Sequence, residues 1–206
     1  MTPAQTRQGD LFANDTHLDD SSGAGPLPPP LLRHQLLVWQ ERLAAHQEPL
    51  LGGGGASPSA QGDLFAAEGD TGATSQAIAL DPLNLQAQSL SFWRWPEAPQ
   101  SGAAIYLVMD RPAASGASLL LYVGETAAAE RRWKGEHDCK RYLDAYAEAL
   151  QRADLPLTLS IRFWLEVPQQ TRPRRDLEQA LIRRWLPPFN KETRGRWATP
   201  FTAPSD

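Results

Sequence analysis

The sequence has a single cysteine, Cys139, so neither an internal disulfide framework nor a multi-cysteine zinc site can organise it. Long apolar runs are also missing. The longest, Ile105 to Met109 and Leu119 to Val123, fall far short of the roughly 20 residues that a bilayer-spanning helix needs. Met1 to Asp20 has no apolar core of the kind a secretory signal requires, and the expectation is a soluble, cytoplasmic protein. The first 76 residues lack lysine altogether and set three Arg against nine acidic residues; they hold 17 Gly or Pro and only three aromatics, Phe12, Trp39 and Phe65. That is too little apolar material to offset the entropy of ordering the chain. Residues 1–76 therefore read as mainly disordered, and residues 77–206 as the folded domain.

Two features break the monotony of the N-terminal part. Leu32, Leu36, Trp39 and Leu43 repeat at four, three and four residues, which predicts an amphipathic helix over about residues 31–47, after Pro28 to Pro30 and before Gly52 to Gly55. A lone helix of this length is marginal in water, so its apolar face needs either the C-terminal domain or a partner to cover it. The second feature is a repeat: Gln8-Gly9-Asp10-Leu11-Phe12-Ala13 recurs as Gln61-Gly62-Asp63-Leu64-Phe65-Ala66. Leu-Phe pairs in a polar tail serve as anchors for peptide recognition. The pentapeptide Gln-Gly-Asp-Leu-Phe resembles the bacterial sliding-clamp-binding motif, a Gln followed after a short gap by Leu-Phe. The resemblance makes Gln8, Leu11, Phe12, Gln61, Leu64 and Phe65 candidate partner-binding residues and a sliding clamp the expected partner. Treated as one flexible coil, the chain between the copies, whose equivalent residues are 53 positions apart, would hold them about 40 Å apart, close enough for bivalent capture.

From about Ala77 the composition changes, with 14 of the 17 aromatics in the remaining chain. The two apolar runs flank a stretch with Pro112 and Gly116 and predict a β-hairpin. Leu157, Leu159, Ile161, Phe163 and Leu165 alternate with polar or outward residues over nine positions, the pattern of a third strand. Tyr142, Leu143, Tyr146 and Leu150 fall at helical spacing; so do Leu177, Leu181, Ile182 and Trp185, with Thr171 as expected cap, Pro173 in the first turn, and Pro187 and Pro188 as the stop. The expected fold is α+β, a small three-stranded mixed or antiparallel sheet flanked by helices. Between Arg131 and Arg196, 15 basic side chains face nine acidic ones, an excess that suits a polyanion as readily as a solvated surface.

Ala104-Ile105-Tyr106 and Tyr122-Val123-Gly124 lie in the two hairpin strands, Arg132 follows Tyr122 by ten residues, and Asn190 follows Glu178 by twelve. This constellation resembles the GIY-YIG nuclease family, over about residues 102–192. The chain departs from the family pattern in having Ala104 for the first glycine, Val123 for the central isoleucine, and a longer hairpin loop. The resemblance implies a metal-dependent DNA endonuclease with Tyr106, Tyr122, Arg132, Glu178 and Asn190 as catalytic residues and Glu178 as the ligand of Mg²⁺ or Mn²⁺. It implies that Arg132 binds the phosphate, that Tyr122 is the general base with Tyr106 beside it, and that Asn190 fixes Glu178 or the hairpin. An ordinary phenol, with a pKa of about 10, is a weak base at neutral pH, so nearby positive charge is required. His137 lies five residues past Arg132, one more than in several relatives, and no role carries over to it. Arg131, Lys134, Lys140, Arg141, Arg194 and Arg196 are candidate nucleic-acid contacts. The absence of any added recognition module points to cleavage selected by DNA structure, in repair, recombination or replication. The alternative is a catalytically inactive DNA- or clamp-binding adaptor.

Overall fold

The computed structural model describes residues 33–53, 71–90, 100–131 and 138–201. The QGDLFA repeats, Arg132, Lys134 and His137 lie outside them. The central element is β1 (Ala104–Asp110), which pairs antiparallel with β2 (Leu119–Thr126) on one side and β3 (Ser160–Trp164) on the other. Every residue of β1 is buried, which explains its unbroken apolar run: a central strand covered on both faces has no outward positions. Ala104, Tyr106 and Val108 enter one core with α1 (Arg33–Gln47) and α3 (Asp138–Arg152), whereas Ile105, Leu107 and Met109 enter a second with α2 (Thr71–Ala79) and α4 (Thr171–Trp185). A short α5 (Arg194–Trp197) follows.

The apolar stripe of α1 is covered by its own domain. Leu36 and Leu43 are fully buried and Trp39 nearly so, with the Trp39 ring against Tyr146, Phe189 and Phe201 at centroid separations of 5.8, 6.4 and 5.3 Å. Aromatic contacts of this kind add to the area each ring removes from water. Polar bonds fix the helix at its start and its middle. Arg33 donates to the carbonyls of Ala153 and Asp154 where α3 ends, each at 2.7 Å, while Gln40 donates to the Tyr146 hydroxyl, which donates in turn to the buried Asp110 carboxylate. The folded unit thus reaches back to Arg33, and residues 33–53 cannot be part of one flexible coil linking the two repeats.

Two local expectations are corrected. The third strand is five residues long, not nine, because its approach is spent elsewhere: the Thr158 N–H donates to Asp110 Oδ1, and the Thr158 hydroxyl bonds the Arg111 backbone. Its outer edge is bridged by Gln88, which exchanges two backbone bonds with Ile161. Thr171 is the first residue of α4 and not its cap. Gln170 takes that position without a side-chain bond, and Arg174 ties the preceding loop down by donating to the carbonyls of Pro168 and Gln169. Pro187 does follow the stop, where Leu186 adopts the left-handed conformation, φ 45°.

Because the Trp39 face is internal, Trp39→Ala is expected to cost about 3–5 kcal/mol of stability in urea unfolding of the full chain. A loss under about 1 kcal/mol would mean that the helix face is not part of the core.

Candidate active site

Tyr106 and Tyr122 come from neighbouring strands, with ring centroids 5.9 Å apart and planes inclined by 30°. A β-bulge puts them on the same face. The register shifts at Val108 and Met109, leaving Leu121 unpaired, so that Leu120 points to the α4 side while Leu121 and then Tyr122 both turn to the α1 side. Bulges commonly re-aim a side chain in this way. Tyr106 is fully buried, packed also against Phe163 at 6.2 Å; Tyr122 is half-buried. Gly124, the register partner of Tyr106, has the phenols lying over it: a Cβ there would stand 2.4 Å from Tyr106 Cζ and Oη and 2.8 Å from Tyr122 Cε1. The glycine of the second tripeptide is therefore a steric requirement of the two tyrosines.

The opposite edge of β2 carries the other two described candidates. Asn190, almost fully buried, accepts from the Val123 N–H at 2.9 Å and donates to the Val123 carbonyl at 2.8 Å. Glu178, on the third turn of α4, accepts from the Glu125 N–H through Oε1 at 3.0 Å. Tyr106, Tyr122, Asn190 and Glu178 thus converge on β2 between Tyr122 and Glu125. Of the two roles considered for Asn190, its bonds serve the hairpin.

Glu178 is electrostatically loaded. Burial, and then the charges of Glu125 and Glu192, raise its pKa to about 7, against the opposing effects of the Glu125 N–H and Arg175. Arg174 and Arg175 pair with Glu125, at 2.8 and 3.3 Å, whereas their helical spacing alone would assign them to Glu178. Arg174 is buried in doing so. Glu125 was not singled out in the sequence, although the period-two pattern after Gly124 places it on the α4 side of the sheet.

Among the described residues, no group of three or more His, Cys, Asp or Glu is arranged to hold a metal ion. The donor set is instead one carboxylate, Glu178, with two further carboxylates close enough to raise its proton affinity. Such a set fits a hard divalent cation that keeps most of its water, as Mg²⁺ does, and a cation there would relieve the carboxylate repulsion that adds to burial in raising the pKa. Of the basic candidates, Arg141 and Arg194 are brought together over Tyr142, their guanidinium carbons 5.5 and 5.4 Å from its ring centroid. Arg194 also donates to the Tyr142 hydroxyl, and Tyr142 stacks on Phe189 beside Asn190. Arg131 is exposed and pairs with Glu130 at 3.5 Å; Arg196 is exposed and Lys140 half-buried.

Comparison with models of known protein families finds no match, and searches of curated proteins and of solved structures find no similar chain.

The raised pKa of Glu178 has a definite thermodynamic sign. The folded form holds the proton more tightly than the unfolded chain, whose carboxyl titrates near the ordinary 4.5, so stability is lost as pH rises through the window from 4.5 to about 7. Glu178→Gln stays neutral and keeps the acceptor for the Glu125 N–H. Thermal unfolding should show it more stable than the unsubstituted protein at pH 8, with the two converging towards pH 4.5; a pH-independent difference would contradict the assignment.

Proposed function

We propose that the chain is a metal-dependent DNA endonuclease of GIY-YIG type, selective for DNA structure and tethered to a sliding clamp through Gln8, Leu11 and Phe12 and through Gln61, Leu64 and Phe65. The observation that carries the reading is the convergence of Tyr106, Tyr122, Glu178 and Asn190 on one short stretch of β2, in the order that the resemblance requires.

In this reading the half-buried Tyr122 phenolate takes the proton from the attacking water while Tyr106, packed against it, fixes its ring. Arg132 donates to the non-bridging phosphate oxygens, for which a planar, always charged guanidinium is suited. Glu178 would hold Mg²⁺ or Mn²⁺, which supplies Lewis-acid stabilisation of the charge developing on the phosphate. Asn190 keeps β2 in register against the loop after α4. Arg141 and Arg194 lie next to that loop and would take backbone phosphates of the DNA, with Arg131, Lys134, Lys140 and Arg196 extending the contact. A second reading, an inactive DNA- or clamp-binding adaptor, is favoured by one observation: Tyr106 is wholly buried, as a purely structural strand tyrosine would be.

Purified protein should cut at least one of plasmid, flap, fork or four-way-junction DNA in the presence of Mg²⁺ or Mn²⁺, with activity lowered at least about 100-fold in Glu178→Ala and Tyr122→Phe. Converting both Leu-Phe pairs to Ala-Ala should abolish clamp binding while leaving cleavage of free DNA intact. Absence of cleavage with every DNA and both metals would shift the assignment to the adaptor, and unchanged clamp binding would remove the tether.

A further inference from the structure

Tyr122 and Glu178 sit on different elements, and one side chain from a third element bolts those two together. Gln47, the last residue of α1, is fully buried. Its Oε1 accepts from the Leu120 N–H at 2.8 Å, and its Nε2 donates to the Leu120 carbonyl and to the Trp185 carbonyl, each at 3.0 Å. Leu120 stands beside the bulge, two residues before Tyr122. Trp185 ends α4, seven residues and two helical turns after Glu178. We infer that Gln47 is a positioning residue that sets the separation of β2 from α4 and thereby holds Glu178 against the Glu125 N–H. Its consequence for catalysis rests on the nuclease reading.

Docking of α1 does not by itself call for this residue. Leu36, Trp39 and Leu43 already bury the helix face, and an amide removed from water is costly unless its bonds are replaced. Gln47 replaces them on the same strand edge that Asn190 and Glu178 occupy, so the three side chains share one geometric task. Residues that orient the groups doing chemistry are sensitive to truncation, typically by 10–100-fold in metal affinity or activity. The helix that provides Gln47 lies outside residues 102–192, so a nuclease-like core cut at those bounds would lack a part of its own site. Gln40 supplies the internal comparison: it is equally buried, on the same helix, and its amide donates to Tyr146 of α3.

The test uses the full chain, with Gln47→Ala and Gln40→Ala compared well below the unfolding temperature of each. Three quantities are read: hydrogen exchange of the Glu125 amide, Mn²⁺ binding by calorimetry, and kcat and KM on the best-cut DNA. Gln47→Ala is expected to lose protection of the Glu125 amide and to lose about 10–100-fold in Mn²⁺ affinity and in kcat, with KM little changed. Gln40→Ala should lower Tm comparably yet keep all three within about twofold of the unsubstituted protein. Unchanged Glu125 exchange in Gln47→Ala, or equal losses in Gln40→Ala, would overturn the inference. Should the unsubstituted protein bind no Mn²⁺ and cut no DNA, the nuclease reading fails on its own, and Glu125 exchange still decides whether Gln47 positions Glu178.

Discussion

The outer edge of β2 has to be closed, and the way it is closed determines the rest of the molecule. With strand order β2-β1-β3, no strand among the described residues takes up the outward N–H and C=O groups of β2. Left open, such an edge templates pairing with other chains, and each buried group without a partner costs about 1–3 kcal/mol. Side chains and one loop amide do the work of a fourth strand: Gln47 takes both groups of Leu120, the Phe189 N–H takes the Leu121 carbonyl, Asn190 takes both groups of Val123, and Glu178 takes the Glu125 N–H. Three separate parts of the chain must dock for this to happen: α1, α4 and the loop after α4.

The candidate chemistry grows out of that closure. Glu178 is useful to the edge as an acceptor, but its burial, and then the charges of Glu125 and Glu192, make its ionised form unfavourable. A carboxylate kept in such a place at a cost to stability is a common mark of a functional group. On the inner side of the same strand, the bulge at Leu121 aims Tyr122 beside Tyr106, and the missing side chain of Gly124 gives both rings room. β1 and β2 therefore each present a phenol to one face, while α4 brings a carboxylate to the outer edge of β2, and the stretch of β2 from Tyr122 to Glu125 meets all three.

Much of this was legible beforehand. The hairpin, the burial of its two strands, α3, α4 and the stripe on α1 all follow from local sequence patterns, which packing here reinforces. What stayed hidden depends on long-range partners. No local pattern says that α1 docks on the sheet rather than on another protein, and none distinguishes Gln47, 73 residues from its partner Leu120, from any polar residue at a helix end. Glu125 escaped because Arg174 and Arg175 are placed by helical spacing to pair with Glu178, whereas the fold hands them to Glu125. The strand β3 read too long because Thr158 keeps the alternating pattern while its bonds go to Asp110 and Arg111. Arg132, Lys134 and the two repeats remain sequence expectations.

The most direct measurement of the account is diffraction from crystals of the full chain grown in Mn²⁺, using the anomalous signal of the ion. The expected result is a peak at bonding distance from a Glu178 carboxylate oxygen, on the side away from the Glu125 N–H, with the ion's remaining ligands water. A well-ordered structure at saturating Mn²⁺ in which Glu178 bonds only the Glu125 N–H would contradict it, leaving Glu178 as an edge-sealing residue and the domain without its catalytic metal.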